Sequence, residues 1–275
     1  DEPLMWLDDR GVEMFRELVR VLKAIDRSLV IAEHRYLPLL DVVDSVYLLE
    51  DGVLKPLDPS QLKPRGVKTS IGEKRRSGND GGGSAQPVLR LRDVWYTYSG
   101  DRWILRGVSM EVAEGSSVVV YGLNGSGKTT LLRVASGILK PKRGRVELAG
   151  RAVYVPQNVN LFFTEETVIR EVEAMCRAVK GGRRCVEEAL STAKKLGLDV
   201  DLDESPHNLS WGEKMRLAIL LAAASGARLV ILDEPFTGLT YYERFVVAEL
   251  LDSIPAAKLI AVSELSQAAL VKETE

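Results

Sequence analysis

Cysteine and histidine are scarce in this chain of 275 residues, with two of each. Cys176 and Cys185 are too few to ligate an iron–sulfur cluster or a four-cysteine zinc site. They read as reduced side chains of a cytosolic protein, with a disulfide as the lesser alternative. Long apolar runs are missing too. The longest helix-like one, Leu217 to Ala224, falls far short of the roughly 20 residues that span a bilayer, so no membrane crossing is expected. No secretory signal opens the chain. An excess of one charge is also lacking: 37 basic and 39 acidic residues leave a net charge of −2. That balance gives no electrostatic footing for direct nucleic-acid binding. What is present, 45% hydrophobic residues, is ordinary for a globular protein and suffices for one large domain or two smaller ones.

The chain opens on Asp1-Glu2-Pro3 rather than Met, as though in mid-domain. Val12, Phe15, Leu18, Val19, Leu22 and Ile25 follow at helical spacing. A strand is predicted over Ser28 to Ala32, then a hairpin from Ser45–Leu49 and Val53-Leu54 around the turn Asp51-Gly52. Residues 73–86, charged and then rich in Gly and Ser, have no hydrophobic periodicity and read as a flexible linker. Strands are predicted beyond it over Val88–Tyr98, Ile104–Val112 and Ser117–Tyr121. A glycine loop, a helix from Lys128 to about Leu139, a mainly helical stretch over 164–207, a helix over Gly212–Ala224 and an apolar strand Leu229–Leu232 complete the pattern. This order argues for a parallel sheet covered by helices. Asp233-Glu234-Pro235, a helix and the strand Leu259–Val262 repeat the order of Asp1-Glu2-Pro3, a helix and Leu29–Ala32. The first segment therefore reads as a second copy of the last third of the second.

Residues 122–129, Gly-Leu-Asn-Gly-Ser-Gly-Lys-Thr, form a full P-loop pattern between a strand and a helix. Glycines let backbone N–H groups turn inward around an anion, and the helix dipole favours negative charge there. Lys128 is expected at the β- and γ-phosphates and the Thr129 hydroxyl on magnesium, with Asn124, Gly125, Ser126, Gly127 and Thr130 completing the cradle. Asp233 and Glu234 end an apolar strand, whose carboxyl end faces the ligand crevice in a parallel sheet. Asp233 would then hold magnesium and Glu234 polarise the attacking water. Leu209-Ser210-Trp211-Gly212-Glu213 opens a helix with either a phosphate-binding serine and glycine or a plain N-cap, and the pattern leaves both open.

Residues 87–275 resemble an ATP-binding-cassette (ABC) ATPase. The P-loop resembles its Walker A motif, Leu229–Glu234 its Walker B and Leu209–Glu213 its signature. Gln157 stands at the Q-loop position, which implies contact with magnesium and the attacking water, and Tyr98 resembles the aromatic that stacks on adenine. Asp1-Glu2-Pro3, Asp8 and His34 resemble the Walker B, D-loop and switch histidine of a preceding cassette, so that Glu2 and His34 would be catalytic there. The resemblance implies an α/β fold: a P-loop NTPase core with a parallel sheet, an antiparallel β subdomain and a helical signature subdomain, preceded by the C-terminal fragment of another cassette. The divisions are 1–72, the linker 73–86, and the second cassette 87–275. It implies ATP and Mg2+ as ligands and head-to-tail pairing of cassettes, with Ser210, Gly212 and Glu213 completing the partner cassette's ATP site in trans.

Three positions depart from the family pattern. Trp211 replaces a signature glycine. Thr240 stands where a D-loop aspartate is usual. Ser263-Glu264-Leu265 faces Ala32-Glu33-His34 of the first copy, so Leu265 takes the place of the switch histidine and hydrolysis in this cassette should be poor. The run Gln157–Val168 and Glu33-His34-Arg35 are similar to energy-coupling-factor importers of vitamins or metal ions. That similarity implies integral membrane partners and a peripheral place on the cytoplasmic membrane face. The alternatives are a twin-cassette ATPase acting on ribosomes or nucleic acid, and a nucleotide-gated regulator. Lys128 to Leu209, 81 positions without sustained heptads, leaves no room for the long coiled coil of a chromosome-maintenance ATPase.

Overall fold

The computed structural model describes residues 3–4, 7–33, 37–50, 53–57, 87–195, 198–268 and 270–271. The chain divides into two compact units, with the boundary between residues 79 and 80, inside the predicted linker. Glu2 and His34 lie outside the described residues, as does residue 73–86 of the linker.

In the first unit, α1 (Asp9–Ala24) starts where the Asp8 carboxylate accepts the Gly11 N–H at 2.8 Å, an N-cap that satisfies one of the helix's orphan donors. Asp9 in the first turn and Lys23 in the last complement the helix dipole. Val12 and Val19 pack with Leu4, Leu39 and Val42 in a small apolar cluster. Strands β1 (Val46–Glu50) and β2 (Val53–Leu57) form the predicted hairpin, in register from Val46↔Leu57 to Glu50↔Val53. The strand predicted over Ser28 to Ala32 is not one. Val30 there is fully exposed. A buried parallel strand needs a neighbour on each side, and among the described residues of this unit none lies beside it.

The second unit holds two sheets. β3 (Pro87–Tyr96), β4 (Leu105–Ala113) and β6 (Arg143–Leu148) form an antiparallel sheet of order β4-β3-β6. β5 (Ser117–Tyr121), β7 (Ala152–Val155), β8 (Leu229–Asp233) and β9 (Ala257–Val262) form a parallel sheet of order β5-β9-β8-β7. Every residue of β8 and β9 is buried, as expected for central strands covered on both faces. Because side chains alternate along a strand, Leu229 and Ile231 enter one core with β3, β4 and helix α2 (Lys128–Ala135). Val230 and Leu232 enter the other. That second core takes in α3 (Val168–Ala178), α4 (Gly182–Lys195), α5 (Trp211–Ala224) and α6 (Tyr241–Ser253). Helix α2 stops short of Leu139: Gly137 turns left-handed at φ +81°, a conformation that favours glycine.

The two cysteines are not free thiols. Cys176 in the last turn of α3 and Cys185 in the first turn of α4 are joined in a disulfide, with Cα atoms 5.7 Å apart. The tight corner between the helices makes this possible. A Cβ on Gly181 would lie 2.6 Å from that of Cys185, so only glycine fits the bend. Sequence spacing alone gives no hint of that corner, which is why the reading of reduced cysteines fails.

Candidate functional site

Strand β5 delivers the chain into the loop 122–127, and α2 begins at Lys128. Gly125 (φ +78°) and Gly127 (φ +102°) adopt left-handed conformations that let the loop wrap back on itself. The loop floors a cleft of about 730 Å³ lined by Asn124 through Thr130, by Gln157 and Glu234, and by an arm carrying Arg102, Trp103, Ile104 and Arg106. The structure thus brings together Asn124, Gly125, Ser126, Gly127, Lys128, Thr129, Thr130, Gln157 and Glu234, nine of the predicted residues.

Lys128 is buried, its Nζ donating to the Gly122 carbonyl at 2.6 Å and the Leu123 carbonyl at 3.3 Å, and lying 3.2 Å from Glu234 Oε1. Glu234 has a left-handed backbone (φ +54°), strained for a residue with a Cβ. Its other carboxylate oxygen accepts from the Ser263 N–H at 3.0 Å, the Ser263 hydroxyl at 3.1 Å and the Thr237 hydroxyl at 3.4 Å. Burial raises the Glu234 carboxyl above its ordinary range despite Lys128 and Ser263, which pull it down. A carboxylate so placed, with a raised proton affinity at the floor of a phosphate cradle, suits general-base work on water.

Asp233 is almost wholly buried. Its Oδ2 accepts the Tyr154 hydroxyl at 2.9 Å, whereas Oδ1 is buried without a hydrogen-bond partner. Burial, followed by the charge of Asp233, pushes the Tyr154 hydroxyl well above its ordinary pKa. An unpartnered buried carboxylate oxygen is costly unless something meets it, and oxygen donors are what magnesium takes. Thr129 and Gln157 on the cleft wall add two more oxygens. These residues fit a magnesium ion, which would link them to nucleotide phosphates.

Tyr98, expected as the adenine platform, does not line the cleft. Its hydroxyl lies 3.4 Å from the Thr130 hydroxyl and its ring meets Tyr96 edge-on. The aromatic on the cleft wall is Trp103, which packs edge-on against Trp95 with the Arg143 guanidinium over its ring. Nothing in the spacing of Trp103 marks it, since only the fold of the β3–β4 connection carries it there.

Ser210, Gly212 and Glu213 sit apart from this cleft at the start of α5, where Ser210 and Glu213 form a capping box. Ser210 caps the helix, and Glu213 reaches back to the Ser210 backbone and hydroxyl. Those bonds hold the Glu213 carboxyl below its usual range. Trp211 has a role of its own, its indole N–H donating to the Thr237 carbonyl at 3.0 Å. Thr240 likewise caps α6 in a box with Glu243. At the expected switch position, β9 ends at Val262 and Leu265 already opens the short helix α7 (Leu265–Ala268). Among the described side chains there, Ser263 bonds Glu234, and Glu264 lies 3.8 Å from Arg244 and accepts from Gln267 at 2.8 Å. Sequence reasoning missed Ser263, Tyr154 and Trp103.

A P-loop at the carboxyl edge of a parallel sheet, an Asp–Glu pair at the end of β8, one strand away from β5, and a helical subdomain define the class as a P-loop ATPase. Residues 105–237 match the family model described as ABC transporter. Over these residues the unit is an ABC transporter ATPase domain. A candidate ABC transporter ATP-binding protein of Sulfurisphaera tokodaii is 30% identical over 290 residues, 96% of this chain and 58% of its own length. A second, from Pyrococcus abyssi, is 36% identical over 166 residues, 55% of this chain and 64% of its own length. The chain therefore spans less than two thirds of these relatives. Among solved structures, cbiO1 from Clostridium perfringens, part of the ABC transporter complex cbiONQ, superposes with a TM-score of 0.56 at 25% identity, covering 64% of this chain and 78% of that one. No helix among the described residues is long and apolar enough to cross a membrane.

Proposed function

We propose that the second unit binds Mg-ATP and that the protein uses its hydrolysis to drive import of a small solute, a vitamin or metal ion, through separate membrane subunits. The observation that carries the ATP reading is the convergence of Lys128, Gln157 and Glu234 on one glycine-floored cleft. Lys128 meets the β- and γ-phosphates, Asp233 with Thr129 and Gln157 holds magnesium, and Glu234 orients the attacking water. Support for import is the membership of cbiO1 in a transporter complex and the 36% identity to a zinc import ATP-binding protein of Rhizobium johnstonii over 62% of this chain. Affinity purification from native membranes should retrieve integral membrane subunits. Retrieval of ribosomes instead would replace the import reading by the translational one.

Residues 1–72 are, in the same reading, the end of a first cassette. Support comes from the internal repeat, from N-caps at the corresponding positions Asp8 and Thr240, and from a match to the Sulfurisphaera relative that runs through nearly the whole chain. The two sites are then unequal, with Glu2 and His34 at the hydrolytic one and the Lys128 site mainly holding ATP. In a protein that carries both cassettes whole, Glu2→Gln should nearly abolish turnover and Glu234→Gln reduce it modestly. The opposite ranking would reverse the asymmetry.

A further inference from the structure

Tyr154 lies three residues before Gln157 in β7, the strand paired in parallel with β8 at Tyr154↔Ile231. This register carries the tyrosine hydroxyl to Asp233, 79 residues further along the chain, at 2.9 Å from Oδ2. A second group stands behind it. Arg133, in the last turn of α2, lies close enough to the Tyr154 hydroxyl for its charge to act on it. A phenol has one hydrogen to give and accepts through oxygen. The Tyr154 hydroxyl gives that hydrogen to Asp233, and the Arg133 cation stands on its other side.

The consequence falls on the carboxylate. Held at Oδ2, Asp233 cannot rotate freely about its terminal bond, and the oxygen left over is Oδ1. That atom is buried, in a residue only 1% exposed, and has no hydrogen-bond partner. Groups that orient a metal ligand from behind, without touching the ion, set its affinity. We propose that Tyr154, backed by Arg133, is a positioning residue that presents Asp233 Oδ1 to the magnesium ion of a bound nucleotide. This rests on the reading of Asp233 as a magnesium ligand. The position links three elements, α2 below the P-loop, β7 leading to Gln157, and the end of β8, so that the cation site inherits its geometry from all three.

The test uses the whole chain and a fluorescent ATP analogue titrated with MgCl2, then with MnCl2. In Tyr154→Phe, which keeps the ring, the half-saturating Mg2+ concentration should rise about 10–100-fold. Nucleotide affinity in EDTA should stay as in the wild type, which a merely structural role would not allow, while the melting temperature should fall only by what one hydrogen bond to a buried carboxylate contributes. Arg133→Gln should give a smaller rise in the same direction and carries the test if Tyr154→Phe fails to fold. A midpoint within twofold of wild type in the folded variant overturns the proposal. Asp233→Asn separates the two ideas. If it leaves the Mg2+ dependence intact, the metal-site reading itself falls; if it removes that dependence while Tyr154→Phe does nothing, only the positioning role falls.

Discussion

Lys128 and Glu234 form an ion pair 3.2 Å apart at the floor of the P-loop cleft, with both side chains more than nine-tenths buried. The lysine is further tied to two loop carbonyls, so an incoming triphosphate competes with groups of the protein for this cation. Exchange of one buried anionic partner for another keeps the charge compensated throughout, which avoids the cost of a lone buried ion.

Replacing Lys128 by Ala removes that cation from the phosphates. Nucleotide affinity, measured by calorimetry with Mg-ATP, should fall at least about tenfold, since a charge-assisted hydrogen bond contributes roughly 1.5–3 kcal/mol. Affinity within twofold of the parent chain would sink the P-loop assignment.

Glu234→Gln should retain nucleotide binding and slow whatever hydrolysis the domain supports by about 10²–10⁴, the usual contribution of a positioned base. It also has a signature in stability. Burial raises the folded-state pKa of Glu234 above its ordinary value of 4.5. Between those two values the folded chain holds a proton that the unfolded chain has lost, so this group's contribution falls as pH rises from 4.5. Melting curves taken upward from pH 4.5 should show the wild type losing more stability than Glu234→Gln. Parallel pH profiles would show that the carboxyl titrates normally.

At the opposite end of the sheet, Lys258 is buried in β9 and donates to the Ile254 and Ala256 carbonyls at 2.7 and 3.2 Å. Burial lowers its pKa from 10.5, opposed by the charge of Asp252. The unfolded chain therefore binds that proton more readily, and the penalty, full below the folded pKa, disappears as pH rises towards 10.5. Lys258→Met should be neutral or stabilising at pH 7, as buried charges replaced by apolar groups often are. Any advantage should shrink in alkaline melts. A large loss of melting temperature at pH 7 would mean that the two carbonyl contacts outweigh the burial cost.

Trp211→Phe keeps the ring and deletes the hydrogen bond to the Thr237 carbonyl. About 1 kcal/mol, or roughly 2–4 °C in melting temperature for a domain of this size, should be lost. An unchanged melting temperature would show that the indole N–H is as well served by water.

The elements were legible where one strand or helix carried its own punctuation. Gly122 through Thr129 and Asp233-Glu234 each sit at a strand end, and a local pattern is enough to place them. Helix α5 started within one residue of its predicted bound because Ser210 and Glu213 form a capping box. What stayed hidden depends on contacts between distant segments. Tyr154 meets Asp233 only through the β7–β8 register, Ser263 meets Glu234 only because β8 and β9 are adjacent, and the Cys176–Cys185 bridge depends on a helix corner at Gly181. The strand expected over Ser28 to Ala32 failed for the same reason, since apolar residues signal burial without naming what buries them. Trp103 reaches the cleft wall only through the β3–β4 connection, which no local pattern marks.

The starts of α5 and α6 meet so closely that a Cβ on Gly212 would lie 2.1 Å from Glu243 Oε1. Glu243 is at once the carboxylate that closes the cap of Thr240. With the indole of Trp211 bonded to Thr237, two contacts join helix ends that sequence separates by some thirty positions. These ends form one corner, so the segment after Glu234 and the start of α5 share contacts through which a shift of one bears on the other.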